Sequence, residues 1–165
     1  MHDDYTALFA YNRWADDRVL RSCRRLAPGQ YTLELGDGLR SVRATVVHLA
    51  GATDAWTRRI RGETVAMLPT EEELPTLDAS ARLLDEAHDA CDRLVPELSP
   101  GRLAATWTYR NLQGRARSLP FWAVLRHLVN HGSYHRGQIA SKLRRLGVEP
   151  ESTDLVLWAI ESSGR

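Results

Sequence analysis

Lysine is almost missing from this chain: of 22 basic residues, 21 are arginine and one is Lys142. We read this bias as the mark of a GC-rich genome. Basic and acidic residues nearly balance, 22 against 21, for a formal charge of +1. Such a chain lacks the concentrated basic footprint that phosphate binding leaves, so nucleic acid is not expected as a partner. Cysteine is scarce. Cys23 and Cys91 both fall on the apolar stripes of expected helices, which reads as core packing and not as a disulfide framework. No apolar run approaches the roughly 20 residues of a membrane span. The opening MHDDYTALFAYNRW carries acidic residues where a secretory signal needs basic ones, so a cytoplasmic protein is expected. Internal repeats, a P-loop, a dinucleotide fingerprint and an HExxH motif are also lacking.

What is present fits an ordinary globular protein. With 165 residues, 43% apolar and 26% charged, the expectation is one domain, residues 1–165, able to bury a substantial core. Its pattern is helical. Tyr5, Leu8, Asn12, Ala15, Val19, Cys23 and Leu26 alternate at three and four residues, predicting a first helix from Asp3 or Asp4 to Leu26 with an aspartate as cap. Pro28-Gly29 stops it. Residues 30 to 40, with YTLEL and the turn residues Gly36, Asp37 and Gly38, read as an extended loop holding at most a short strand. A second helix is expected from Ser41 to Gly62, with Val42, Val46, Leu49, Thr53, Trp56 and Ile60 as its core stripe. After a loop with the acidic run Glu71 to Glu73, a third helix runs from Asp78 to Val95. There His88 reads as surface or partner-facing. TWTYRNLQGRAR alternates like a short hairpin turning at Asn111 to Gly114. A fourth helix starts near Ser118, with Pro120 in its first turn, and Gly147 closes it. STDLVLWAIE makes a short terminal helix. The connections between main helices are too long to require that successive helices be neighbours. The fold class expected is therefore all-α, a four-helix bundle with long crossover connections, a hairpin-like insert before the fourth helix and a short C-terminal helix.

The chemistry is expected in HLVNHGSYHRGQ. His127, His131 and His135 recur every four residues, so on a helix they stack with a drift of about 40° per step. Relative to the apolar stripe of Phe121, Leu125, Leu128, Ile139, Leu143 and Leu146, His135 lies about 45° from the centre, His131 about 85° and His127 about 125°. His131 and His135 are thus the pair nearest the interior. A metal site with an open position usually has three protein ligands, so a third comes from elsewhere. His48 lies beside the core stripe of the second helix, with Gly51, Ala52 and Ala55 leaving room around it, and is the choice. The bland alternative is a polar ridge whose imidazoles bond to neighbouring helices or water. Gly132 sits in mid-stripe, where it costs about 1 kcal/mol of helix propensity; close approach of another backbone would account for it. Gln138 and His127 share the ridge with His131 and are candidates to orient a ligand ring or bond a bound water. Arg136 reads as a tie to a neighbouring helix or carboxylate. Trp56, Trp107 and Tyr109 are either core or pocket-lining.

With these blocks assembled, the sequence resembles the DinB family, the DinB/YfiT-like metalloenzymes, over nearly its whole length. The resemblance rests on YNRWADDRVL, on SVRATVVHLAGATDAWTRRIRG and above all on LRHLVNHGSYHRGQIASKLRRLG. It implies a bundle that holds one divalent ion, zinc, nickel or similar, through a histidine of the second helix and a pair on the fourth. Carried over, these are His48, His131 and His135. It further implies a homodimer and, by analogy with characterised relatives, a transferase using a low-molecular-weight thiol on a small electrophilic substrate. The alternatives are a metal-dependent hydrolase, in which the ion ionises water, and a non-catalytic metal- or ligand-binding stress-response protein.

Overall fold

The computed structural model describes residues 2–36 and 38–164, with side chains from Asp4 onward. Four long helices carry the fold: α1 (His2–Cys23), α2 (Val42–Ile60), α3 (Leu77–Leu94) and α5 (Phe121–Arg145). A 3-10 turn (Val95–Glu97), the one-turn helix α4 (Pro100–Ala104), a hairpin of β1 (Thr106–Arg110) with β2 (Ala116–Pro120), and the terminal helix α6 (Leu155–Ser163) complete it. The all-α expectation holds, with the hairpin and terminal helix where the alternation and turn residues placed them. Gly62, Gly114 and Gly147 all take positive φ, a conformation that costs glycine least.

Local chemistry sets the helix ends. Ser41 Oγ accepts from the Ala44 amide at 2.9 Å, and Thr76 Oγ1 accepts from Ala79 at 3.1 Å, each satisfying an amide without an intrahelical partner. The start of α5 differs from expectation. Pro120 ends β2 in extended conformation with no side-chain cap, and the Phe121 amide donates to Ala105 O at 2.9 Å instead. Antiparallel pairing of Ser118 with Thr108 and of Leu119 with Trp107 keeps those residues out of the helix. Ser99 Oγ caps the start of α4, accepting from the Arg102 amide at 3.2 Å, and Pro100 opens the helix. In the loop before α2 no strand forms among the described residues. Asp37 lies outside them, as does the Asp3 side chain, so the aspartate cap at Asp3 cannot be placed; Asp4 is inside α1.

Two apolar clusters fill the bundle. One joins Phe9 and Ala15 of α1 to Ile60, Cys91, Val124 and Leu125. The other joins Val19 to Val42, Leu49, Leu84, Ile139 and Leu143. The first cluster thus gathers the start of α1 and α5 with the end of α2 and α3, and the second the reverse. So α1 runs parallel to α5, α2 runs parallel to α3, and the two pairs are antiparallel. Packing joins α2 to α3 and α5, and α1 to α3 and α5. The connection from α2 to α3 therefore runs the length of the bundle, a crossover of the kind expected from loop length. On its way that connection seats Pro69 against Gly51, where an added Cβ would lie 2.6 Å from the proline Cδ. The space expected beside Gly51 is thus filled by Pro69.

Between the clusters lies a buried polar layer. Arg136 Nη1 donates to Asp16 Oδ1 at 2.7 Å and to Asn12 Oδ1 at 2.8 Å, and Nη2 donates to Ser133 Oγ at 2.9 Å. His88 Nε2 stands 3.0 Å from the other Asp16 oxygen. The charged centre of this layer is sealed from solvent, with His88 2% exposed, Arg136 1% and Asp16 0%, while Ser133 at its edge is exposed. His88 is therefore not on the surface; facing a buried carboxylate, it is drawn inside by the pairing a buried charge demands. Arg136 ties α5 to α1, as expected. Gly132 is explained by side chains and not by backbone: a Cβ there would meet Arg136 Nη1 and Asn12 Oδ1, both at 2.8 Å.

Candidate metal centre

Residues 135 and 136 are neighbours on α5, about 100° apart around its axis. While Arg136 turns toward α1, His135 turns toward α2. The angular order read from the sequence is reproduced in burial: His135 is buried, His131 half-buried and His127 exposed. Across from them on α2 stands His48, half-buried. Its ring centroid is 4.5 Å from that of His135 and 5.3 Å from that of His131, while His131 and His135 are 4.3 Å apart.

One ring nitrogen from each of His48, His131 and His135 lies within 4.8 Å of the others. The Nε2 atoms of His131 and His135 are 3.1 Å apart. Two nitrogens bound about 2.05 Å from one ion are separated by about 2.9 Å at right angles and about 3.4 Å at the tetrahedral angle. The pair therefore already has the spacing of a shared ligand set. Among the described residues no hydrogen bond holds the His48 ring, whose contacts are with the rings of His131 and His135.

The electrostatics suit a cation. Burial and the neighbouring imidazoles of His135, His48 and His127 push His131 down to about 4. His48 is lowered by burial and by His135, and His135 chiefly by burial. At neutral pH all three rings are uncharged and carry free lone pairs. Gln138 Oε1 lies 2.9 Å from His135 Nδ1. An amide oxygen there accepts Nδ1–H, leaving the His135 Nε2 lone pair directed at the cluster. His127 is outside the group. Its ring packs against Trp56, centroids 5.0 Å apart, and stands 5.4 Å from the His131 ring.

A cavity of about 250 Å³ opens on His48 and His131. Ala52 and Ala55 give it width on the α2 side, Trp56 and Tyr109 form an aromatic wall, and the hairpin tip covers it. Trp56, expected in the core stripe, packs against the first apolar cluster and, half-buried, also turns to this cavity, where the Tyr109 ring lies 5.0 Å from its own. Trp107 stacks on Tyr109 at 5.1 Å, backing the wall from behind. No aspartate or glutamate lines the cavity among the described residues. A larger depression, about 630 Å³, is walled by Arg61, Arg93 and Arg102 and contains none of the histidines.

Cys23 and Cys91 are both buried and free. Burial pushes their thiols up to about 12 and about 11, so neither is a nucleophile at neutral pH. Sequence reasoning did not find Arg59. It follows His48 at the eleventh residue, three helical turns on, and extending the ridge of His48 and Ala52 by that interval would have reached it.

The sequence model of the DinB family matches residues 1–162. This chain belongs to the DinB family. It is 26% identical over 164 residues to Protein DinB of Bacillus subtilis (strain 168), a match spanning 96% of this chain and 95% of that protein. In this DinB chain the three clustered histidines form a group that can hold a metal ion. No helix among the described residues is long and apolar enough to cross a membrane.

Proposed function

We propose that His48, His131 and His135 hold one divalent ion, zinc or nickel, and that this DinB protein is a transferase joining a low-molecular-weight thiol to a small electrophile. The observation that carries the reading is the convergence of three neutral imidazoles, two of them opening on a cavity that no aspartate or glutamate lines among the described residues. An ion held by three uncharged ligands keeps its full charge and an open position, and supplies the acidity that ionises a coordinated thiol at neutral pH.

The chain's own residues do the rest. Gln138 keeps His135 in the tautomer whose Nε2 faces the cluster. Trp56 and Tyr109 exclude water from one side of the reacting groups, and the hairpin tip limits the size of what enters. The chain's own cysteines are buried and protonated, so the sulfur comes from a cosubstrate. Without a carboxylate to take a proton from water, the cavity favours a reactant whose proton is easily lost, which weighs for a thiol over the hydrolase alternative. The buried, unpaired cysteines also fit a cytoplasmic location. A homodimer fits the exposed Leu155, Val156 and Ile160 of α6.

The test is conjugation by metal-loaded protein, with glutathione, mycothiol and bacillithiol each offered against a panel of electrophiles. Turnover that follows metal loading supports the reading. Metal binding with no conjugation across the panel would remove the thiol-transferase reading and leave the hydrolase and the binding protein.

A further inference from the structure

The cavity wall holds a cation that the fold does not neutralise. Arg59 is only 6% exposed, and its guanidinium lies over Trp56 and Tyr109, with Cζ 5.2 Å and 5.7 Å from the two ring centroids. Of its five N–H groups, one has a protein acceptor among the described residues: Nη2 donates to Val65 O at 3.1 Å. Nε is buried with no partner. Glu63, the acid nearest in sequence, is taken by Arg58 at 2.8 Å and Arg61 at 3.0 Å. Burial lowers the pKa of Arg59; Tyr109 opposes the shift, and no carboxylate does so among the described residues. An arginine so placed is expensive unless something pairs with it. One carbonyl and two aromatic faces do not use the planar fork, which matches a carboxylate edge to edge.

Arg59 also lines the cavity onto which His48 and His131 open. Eleven residues separate it from His48, about 16 Å along the axis of α2 at a rotation of about 20°. Helical side chains lean toward the N-terminus, so the Arg59 side chain reaches back along Trp56 toward the histidines.

We infer that Arg59 is the anion-recognition residue of this cavity, and that the natural ligand bears a carboxylate at one end and its reacting atom at the other, several methylene lengths away. The inference rests on the proposed thiol chemistry for the identity of the far end only. Trp56 and Tyr109 position the guanidinium by stacking, and the ligand carboxylate supplies the counter-charge that the fold withholds. A purely structural Arg59, clamping the loop through Val65, would give no preference between a charged ligand and its neutral isostere.

The experiment is calorimetric titration of zinc-loaded protein with ω-mercaptocarboxylates from 3-mercaptopropionate to 8-mercaptooctanoate. Each is run beside its primary amide, and beside the thiol-free alkanoate and alkanamide of the same length. The expected result is an optimum chain length at which carboxylate binds about ten- to a hundred-fold tighter than amide. Arg59→Gln erases that preference and Arg59→Lys keeps part of it, both retaining one zinc per chain. Equal binding of carboxylates and amides overturns the inference while leaving thiol binding intact. Conversely, thiol-independent binding with an Arg59-dependent carboxylate preference keeps the anion site and removes the thiol chemistry. Should Arg59→Gln fail to fold, the carboxylate and amide pairs on the wild-type chain still decide.

Discussion

His131 Nε2 lies 3.1 Å from His135 Nε2, a gap that one proton or one ion can bridge. Gln138 decides which His135 nitrogen faces that gap. Gln138→Ala therefore frees the ring to rotate or change tautomer, and metal affinity is expected to fall about ten- to a hundred-fold while the fold persists. Competition against a chromogenic chelator reads this directly. An unchanged affinity would mean that packing alone orients the ring.

Asp16 is the keystone of the layer between the two apolar clusters. Replacing it by Asn leaves the Arg136 charge buried opposite a neutral group, and a loss of about 3–5 kcal/mol is expected. The double variant Asp16→Leu with Arg136→Met should recover only part of that loss, since it removes both buried charges but takes these partners from the buried His88 and Asn12. Urea unfolding of the single and double variants measures it.

The same carboxylate gives the stability a pH dependence. Burial alone would raise the Asp16 pKa, but the Arg136 charge and the His88 contact outweigh it and hold the group below its ordinary 3.8. A carboxyl whose folded pKa is depressed contributes stability fully above its unfolded value and loses it as pH falls through the folded one. Below about pH 4 the unfolding free energy should decline by up to about 1.4 kcal/mol per pH unit for this one group. Denaturation curves between pH 5 and pH 2 should be flatter in this window for Asp16→Asn than for the wild type.

Gly51 is the point where the long connection from α2 to α3 touches the bundle. Gly51→Ala gains helix propensity of about 1 kcal/mol but places a methyl 2.6 Å and 2.7 Å from two Pro69 ring atoms. The ring cannot swing aside as a long side chain would, so a net loss of about 1–3 kcal/mol is expected. Thermal melting checks it. A stabilised variant would mean that the connection yields freely.

The histidine ridge was legible because its signal is local: a period of four against an apolar stripe sets the burial order of His127, His131 and His135 without knowledge of any partner helix. His48 was reached by elimination and by family resemblance, since nothing in its own helix says which neighbour it faces. Asp16 and His88 were missed for the same reason. Each looks like a marginal polar residue on its own helix, and their inward position depends on Arg136, 120 residues away from Asp16 along the chain. Helical spacing leaves Trp56 open between core and pocket, since it cannot see the hairpin that brings Tyr109 beside it; the ring serves both. Pro120 was placed in a helix by its preference for first turns, and strand pairing overrode that preference. Patterns within one element were thus readable, and contacts between distant elements were not.

Whether His48, His131 and His135 form a metal site is decided by the metal content of untagged protein, measured by mass spectrometry. Near-stoichiometric divalent metal is expected in the wild type and in His127→Ala, and its loss in His48→Ala, His131→Ala and His135→Ala. A wild-type protein that neither retains nor takes up a divalent ion would leave the histidines as structural residues and remove the metal site.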